Sequence, residues 1–191
     1  IISWLAEVAD DPLAYVMGAF PWGEKGTRLE EEEGPEDWQK VILQRVRDGI
    51  INLNQAVQEA VASGHGVGKS ALVSWLIKWG IDTMMDTRGV CTANTETQLK
   101  TKTWAELGKW HHLSITREIF KLTATSYFHP ERERTWRLDQ VPWSERNAEA
   151  FAGMHNKGRR ILVIFDEASK IPDIIWETTE GALTDDNTQI I

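Results

Sequence analysis

Two short segments carry side chains suited to a single reaction. The first, Ser63-Gly64-His65-Gly66-Val67-Gly68-Lys69-Ser70-Ala71, places glycines ahead of a lysine and a hydroxyl. Glycines let the backbone wrap so that successive N–H groups converge on an anion. A helix beginning near Gly68 adds the partial positive charge of its N-terminus. Lys69 then reaches the β- and γ-phosphates of a nucleotide, and the Ser70 hydroxyl coordinates Mg²⁺. The strict pattern G-x-x-x-x-G-K-[ST] asks for glycine where Ser63 stands, but a small residue still permits the turn. The second segment, Arg159-Arg160-Ile161-Leu162-Val163-Ile164-Phe165-Asp166-Glu167, sets two carboxylates at the end of an apolar run. Asp166 suits Mg²⁺, directly or through water, and Glu167 suits polarisation of an attacking water. Phosphoryl transfer to water needs both charge neutralisation and an oriented nucleophile.

Such residues act only if the fold brings them to one place. Ile161 to Phe165, apolar and mostly branched, reads as a strand buried on both faces. Lys69 to Met85 is apolar almost all round and reads as a helix buried against a sheet, with Trp75 and Trp79 as core packing. Alternation at Val57, Glu59 and Val61 predicts a strand over Ala56 to Ala62, leading into the glycine loop. Further strands are expected at Gly89 to Ala93, Phe120 to Phe128 and Trp136 to Val141. Helices are expected at Trp38 to Val46, Thr95 to His112, Glu145 to Phe151 and Pro172 to Leu183. Strands alternating with helices argue for an α/β fold with a mainly parallel central sheet and helices on both faces. Gln39, in the Trp-Gln pair opening a helix upstream of the loop, offers an amide that can read adenine, or serves as an ordinary surface glutamine.

Residues 1–37 read as an N-terminal helical arm. Asp11-Pro12 is a capped helix start, and "EEEEGPED" is a solvated acidic loop. Residues 38–191 form the expected nucleotide-binding domain. The chain opens on Ile1-Ile2 and closes on an apolar Gln189-Ile190-Ile191, so it is expected to be one domain of a longer protein. A net charge of −8 argues against a generally nucleic-acid-coating surface while allowing a local basic groove. The single Cys91 allows no internal disulfide, and a buried, inert thiol is expected. No apolar run approaches the ~20 residues that span a bilayer. The ten tryptophans read as large core fillers. His111-His112 lacks ligand-spaced partners for a metal.

With these residues placed, the chain resembles the ATPase domain of a tailed-phage large terminase subunit over most of residues 35–191. "EDWQKVILQRV" is similar to that family's adenine-reading segment, "SGHGVGKS" to its phosphate loop, "CTANTETQLKTKTW" to the strand and helix that follow, "AFAGMH" to the segment before the Asp-Glu strand, and "ILVIFDEAS" to that strand. The resemblance implies a P-loop NTPase of the additional-strand-conserved-glutamate type. It implies Mg²⁺-dependent ATP hydrolysis that drives double-stranded DNA into a procapsid. Implied partners are a portal protein, a small terminase subunit and further copies in a ring, in the cytoplasm of the host cell. A nuclease domain would lie beyond Ile191. Several members carry an arginine inside the loop where this chain has His65, and many carry one where it has Ala152. Arg159 and Arg160, with Arg146 behind them, are the candidate replacements, acting on a neighbouring subunit's ATP; an exposed basic strand edge is the alternative. Lys100, Lys102, Lys109 and Arg117 either face DNA or form a solvated helix face. A helicase-type motor and a nucleotide-gated assembly module with little hydrolysis are the competing functions.

Overall fold

A computed structural model of the chain describes residues 1–50, 56–62, 66, 68–93, 95–143, 156–166, 168, 171–182 and 189–191. Its sheet contains β1 (Arg88–Thr92), β2 (Lys121–Leu122), β3 (Ser126–Phe128), β4 (Arg137–Gln140), β5 (Arg160–Phe165) and β6 (Gln189–Ile190), in the order β2-β3-β4-β1-β5-β6. The strands β4, β1, β5 and β6 run parallel, with Cys91 opposite Ile164 and Thr92 opposite Phe165. The edge strands β2 and β3 are antiparallel. The stretch expected as one strand from Phe120 is a hairpin, because Thr123 turns the chain and its Oγ1 accepts from Ser126 N–H.

The period of two along each strand sorts side chains to opposite faces. Leu162 and Ile164 of β5, with Cys91 of β1 and Leu138 of β4, pack under helix α4 (Lys69–Asp82) and the helical stretch that follows β1. Ile161, Val163 and Phe165 face the other way with Val90, against Ile171, Ile175 and Trp176. Ile175 and Trp176 belong to α7 (Asp173–Ala182). Helices therefore cover both faces, as the strand–helix alternation predicts. The stretch after β1 is capped by Thr95, whose Oγ1 accepts from Gln98 N–H at 3.1 Å. It runs as α5 (Glu96–Gln98), a π-helical segment Leu99–Trp104, and α6 (Ala105–Leu113). The expected helix over Glu145 to Phe151 lies outside the described residues.

Two further expectations change. Ala56 to Ala62 forms no strand: Val57 and Val61 do turn inward, but onto the helical core, where Val57 lies against Gly49 of α3 (Asp37–Ile50). The alternation is real; the partner is a helix, not a strand. The N-terminal segment, expected as an arm, is part of the core. α1 (Ile2–Glu7) and α2 (Pro12–Ala19, capped by the Asp11 carboxylate accepting from Ala14 N–H) lie against the body of the chain. Tyr15, Val16 and Ala19 are fully buried. Phe20 and Trp22 join Trp75 of α4 and Trp110 of α6 in one aromatic cluster, with Phe20–Trp110 and Trp75–Trp110 centroids both at 4.9 Å in edge-to-face geometry. Such pairs add to plain area burial. Several of the tryptophans thus serve to fasten residues 1–37 to the helices behind the sheet.

A polar knot completes that attachment. Asp82, in the last turn of α4, accepts from Tyr15 Oη and Thr116 Oγ1 on Oδ2 and from Tyr127 Oη on Oδ1, each at 2.6 Å. Lys78 Nζ sits 3.3 Å from Asp82 and donates to Tyr127 Oη and Thr116 Oγ1. Lys78 and Asp82 are both fully buried. Burial lowers the Lys78 pKa and raises those of Tyr15 and Tyr127. His111 Nδ1 lies 3.5 Å from Lys78 Nζ, and burial together with the Lys78 charge brings its pKa down to about 4. A buried charge stripped of its partner costs about 3–5 kcal/mol, so Asp82→Ala should lower the unfolding free energy by roughly that amount in urea titrations. The depressed His111 value means the unfolded chain binds the extra proton. This histidine's contribution to stability is therefore complete above about pH 6.5 and is lost as pH falls towards 4. His111→Gln should flatten the decline of the thermal midpoint across that window.

Candidate functional site

The packing of α4 on β5 decides which ends of these elements meet. Gly80, near the C-terminus of α4, lies so close to the start of β5 that a Cβ there would come 2.8 Å from Leu162 Cδ2. Arg160, the first residue of β5, donates from Nη1 to Gly80 O at 3.1 Å and to Thr83 Oγ1 at 2.8 Å. Helix and strand are thus fastened tail to head. From Gly80 back to Lys69, α4 rises about 16 Å at 1.5 Å per residue. From Arg160 to Asp166 the strand advances about 20 Å at 3.3 Å per residue. Measured from the Gly80–Arg160 contact, these lengths are what a helix running antiparallel to β5 needs to bring Lys69 and Ser70 to the carboxyl edge of the sheet, where Asp166 follows β5 and where ligands of parallel sheets bind.

At the helix end, Gly68 is the N-cap of α4 in the left-handed region, φ 86°. Gly66 also has a positive φ, 79°. A Cβ on Gly68 would lie 2.7 Å from Gln39 Nε2. Glycine is required there twice over, by conformation and by space. Gln39, at the start of α3, is nearly fully buried. Its Nε2 donates to Gly68 O at 2.9 Å and its Oε1 accepts from Glu36 N–H at 2.8 Å. The amide expected to read adenine is engaged with the protein's own backbone, where it ties the loop's last residue to α3. Within the first turns of α4, Ser70 and Ala71 are partly buried, and Ser74 Oγ closes the turn onto Ser70 O at 2.8 Å.

At the strand end, Asp166 N–H donates to Thr92 O at 2.8 Å, extending the β1–β5 pairing by one residue. Its Oδ2 accepts from Thr103 Oγ1 at 2.5 Å. The neighbouring Thr92 Oγ1 is buried with no hydrogen-bond partner among the described residues. The Cys91 thiol is pushed up by burial, with the Asp166 charge adding to it, in keeping with the expected inert cysteine.

The arginines separate. Arg160 is removed as a catalytic candidate: it is fully buried, it stacks on Trp79 at 4.1 Å, and its Nη2 donates to Ala9 O at 2.6 Å. Burial lowers its pKa to about 9 against the opposing pull of Asp10, so it stays charged near neutrality as a clamp between β5, α4 and the N-terminal segment. Arg159 is exposed, beside Asp86. It too lies at the amino end of β5, a strand's length from Asp166. Lys100 and Lys109 form surface ion pairs with Glu96 and Glu106, as a solvated helix face does, and Arg117, in the turn after α6, pairs with Glu118. Ser63, Gly64, His65, Val67, Arg146, Ala152 and Glu167 lie outside the described residues. Thr103 was missed by sequence reasoning; its signal was a lone hydroxyl on the buried face formed by Leu99, Leu107 and Trp110.

Comparison with known proteins finds a sequence relative and a solved structure of similar fold. The chain is 29% identical over 137 residues to a protein of Enterobacteria phage P7 named as a probable terminase, large subunit; the match takes in 69% of this chain and 27% of that protein. Its fold matches the crystal structure of the HK97 bacteriophage large terminase with a TM-score of 0.61 at 16% identity, over 95% of this chain and 36% of that one. No family model matches. The chain spans 27% of the length of the P7 protein and 36% of the HK97 chain.

Gly68→Ala forces a side chain into the left-handed region and against Gln39. It should cost about 1–2 kcal/mol in equilibrium unfolding, with Gly66→Ala, whose Cβ meets nothing, as the control for conformation without contact. Equal stability of Gly68→Ala and the unsubstituted chain would contradict this cap geometry.

Proposed function

We propose that this chain, related in sequence and fold to phage large terminase subunits, is the ATP-hydrolysing motor domain of a machine that packages double-stranded DNA. The observation that carries the reading is the fastening of the tail of α4 to the head of β5, from which an antiparallel α4 brings the Lys69-Ser70 helix start to the Asp166 strand end. Hydrolysis requires an electropositive, backbone-rich phosphate cradle facing a carboxylate that holds the metal.

The division of labour follows from the chemistry of each group. Lys69 and the N–H groups of residues 63–70 bind the phosphates. Ser70 and Asp166 offer hard oxygen ligands, the set Mg²⁺ prefers, and Asp166 is hydrogen-bonded among the described residues on Oδ2, which leaves Oδ1 for a cation. Bound Mg²⁺ would neutralise charge developing on the phosphate oxygens. Glu167, next in the chain, would orient the attacking water. Gln39 can read adenine only with the donor and lone pair left after its bonds to Gly68 and Glu36. The charge that an arginine in the loop would supply is expected from Arg159 of a second copy, which makes the ring of subunits part of the catalytic unit. DNA, a portal protein and a small terminase subunit are the partners proposed for the whole protein, at work in the host cytoplasm. Among the described residues no helix is long and apolar enough to cross a membrane.

Glu167→Gln should bind a fluorescent ATP analogue as tightly as the unsubstituted chain while losing about 10²-fold or more in hydrolysis rate. Full hydrolysis by that variant would refute the water-orienting role. The ATPase rate per subunit should rise with protein concentration, and Arg159→Ala should abolish that rise; a flat rate at every concentration would count against a shared site and for a nucleotide-binding assembly module.

A further inference from the structure

The segment Leu99–Trp104 departs from α-helical geometry where it passes Asp166. π-Helical turns are rare and concentrate at functional sites. Two threonines in this segment behave differently. Thr101 Oγ1 donates back to Thr97 O at 2.7 Å, the local bond a helical threonine ordinarily makes. Thr103 Oγ1 forgoes that bond and donates instead to Asp166 Oδ2, on a distant strand. Thr103 is fully buried, so no water competes for the hydroxyl. Asp166 is thereby held at two points, its N–H on Thr92 O and its Oδ2 on Thr103.

We propose that Thr103 is the positioning residue for Asp166. Its hydroxyl fixes the carboxylate rotamer so that Oδ1 is presented towards Ser70, and the π-helical turn sets the hydroxyl at that spot. The proposal rests on the ATPase reading above. A carboxylate on a strand end otherwise rotates about its first two side-chain torsions, and each unproductive rotamer lowers the fraction ready to receive a cation. Outer partners of metal ligands commonly change metal affinity by about 10–100-fold when removed. The bond uses one of roughly four lone-pair positions on the carboxylate and so competes with no ligand. It also gives the cation site a mechanical link to α6, which continues directly from the π-helical turn.

The test is Mg²⁺ titration of the binding of a fluorescent, non-hydrolysable ATP analogue, followed by anisotropy, on the unsubstituted chain, Thr103→Val and Thr103→Ser. Valine keeps the shape and removes the donor; serine restores the donor. Thr103→Val should raise the half-saturating Mg²⁺ concentration about tenfold, with nucleotide affinity in EDTA and the thermal midpoint in metal-free buffer unchanged. Thr103→Ser should stay within about twofold of the unsubstituted chain, since it keeps the bond. ATPase assays should show the same displacement along the Mg²⁺ axis, with kcat recovered at saturating metal. If valine disturbs the packing, Thr103→Ala compared with Thr103→Ser decides the same question. An unchanged Mg²⁺ dependence in the folded valine or alanine variant, or failure of serine to restore it, overturns the positioning role alone. Absence of Mg²⁺-dependent nucleotide binding by the unsubstituted chain overturns the ATPase reading and this proposal with it.

Discussion

The contact between the tail of α4 and the head of β5 sets everything else at the candidate site. A helix and a strand can pack in either relative direction, and only one direction brings a helix N-terminus to a strand C-terminus. Here the contact is fixed by a glycine that admits Leu162 and by a buried guanidinium that donates to Gly80 O and to the Thr83 hydroxyl at the helix's end. Burying Arg160 is costly unless its donors are met. The cost is offset by Gly80, Thr83 and Ala9 as acceptors and by the face of Trp79 beneath it. The residue that sequence reasoning offered for transition-state charge instead holds together the two elements whose far ends carry Lys69, Ser70 and Asp166.

The same helix is braced from behind. Residues 1–37 contribute Tyr15 to the Asp82 knot, Val8 O to the indole of Trp79, and Phe20 and Trp22 to the tryptophan cluster. Each contact falls on α4 or α6, the helices that reach the sheet edge. Directional bonds to a fully buried Lys–Asp pair resist sliding in a way that apolar packing alone does not. What looked like an arm is a back wall.

Much of this was legible in the sequence because it depends on local pattern. The all-round apolar character of residues 69–85, helical as far as Asp82, the branched run at 161–165 and the Asp11-Pro12 cap each set a local preference that the fold keeps. The resemblance carried by "SGHGVGKS" and "ILVIFDEAS" is matched by the P7 relative and the HK97 fold. What failed depends on distant partners. Alternation at Val57 and Val61 cannot say whether a helix or a strand will receive those side chains. An arginine next to a strand does not announce whether it points to solvent or into the core, and Arg159 and Arg160 do one each. Gln39 carries the right group in the right place, yet its buried amide bonds Gly68 and Glu36 first. Lys78 and Asp82, one turn apart on an apolar helix, were the overlooked signal that a buried ion pair would form.

The central claim is geometric: one nucleotide–metal complex is gripped between the start of α4 and the end of β5. A crystal structure of the chain with Mg²⁺ and a non-hydrolysable ATP analogue tests it most directly. The account predicts phosphates on the backbone N–H groups leading into α4, Mg²⁺ about 2.1 Å from Ser70 Oγ, and Asp166 bound to that ion directly or through a single water while still accepting from Thr103. Nucleotide bound away from that edge, or a metal ion held without Ser70 and Asp166, would contradict it.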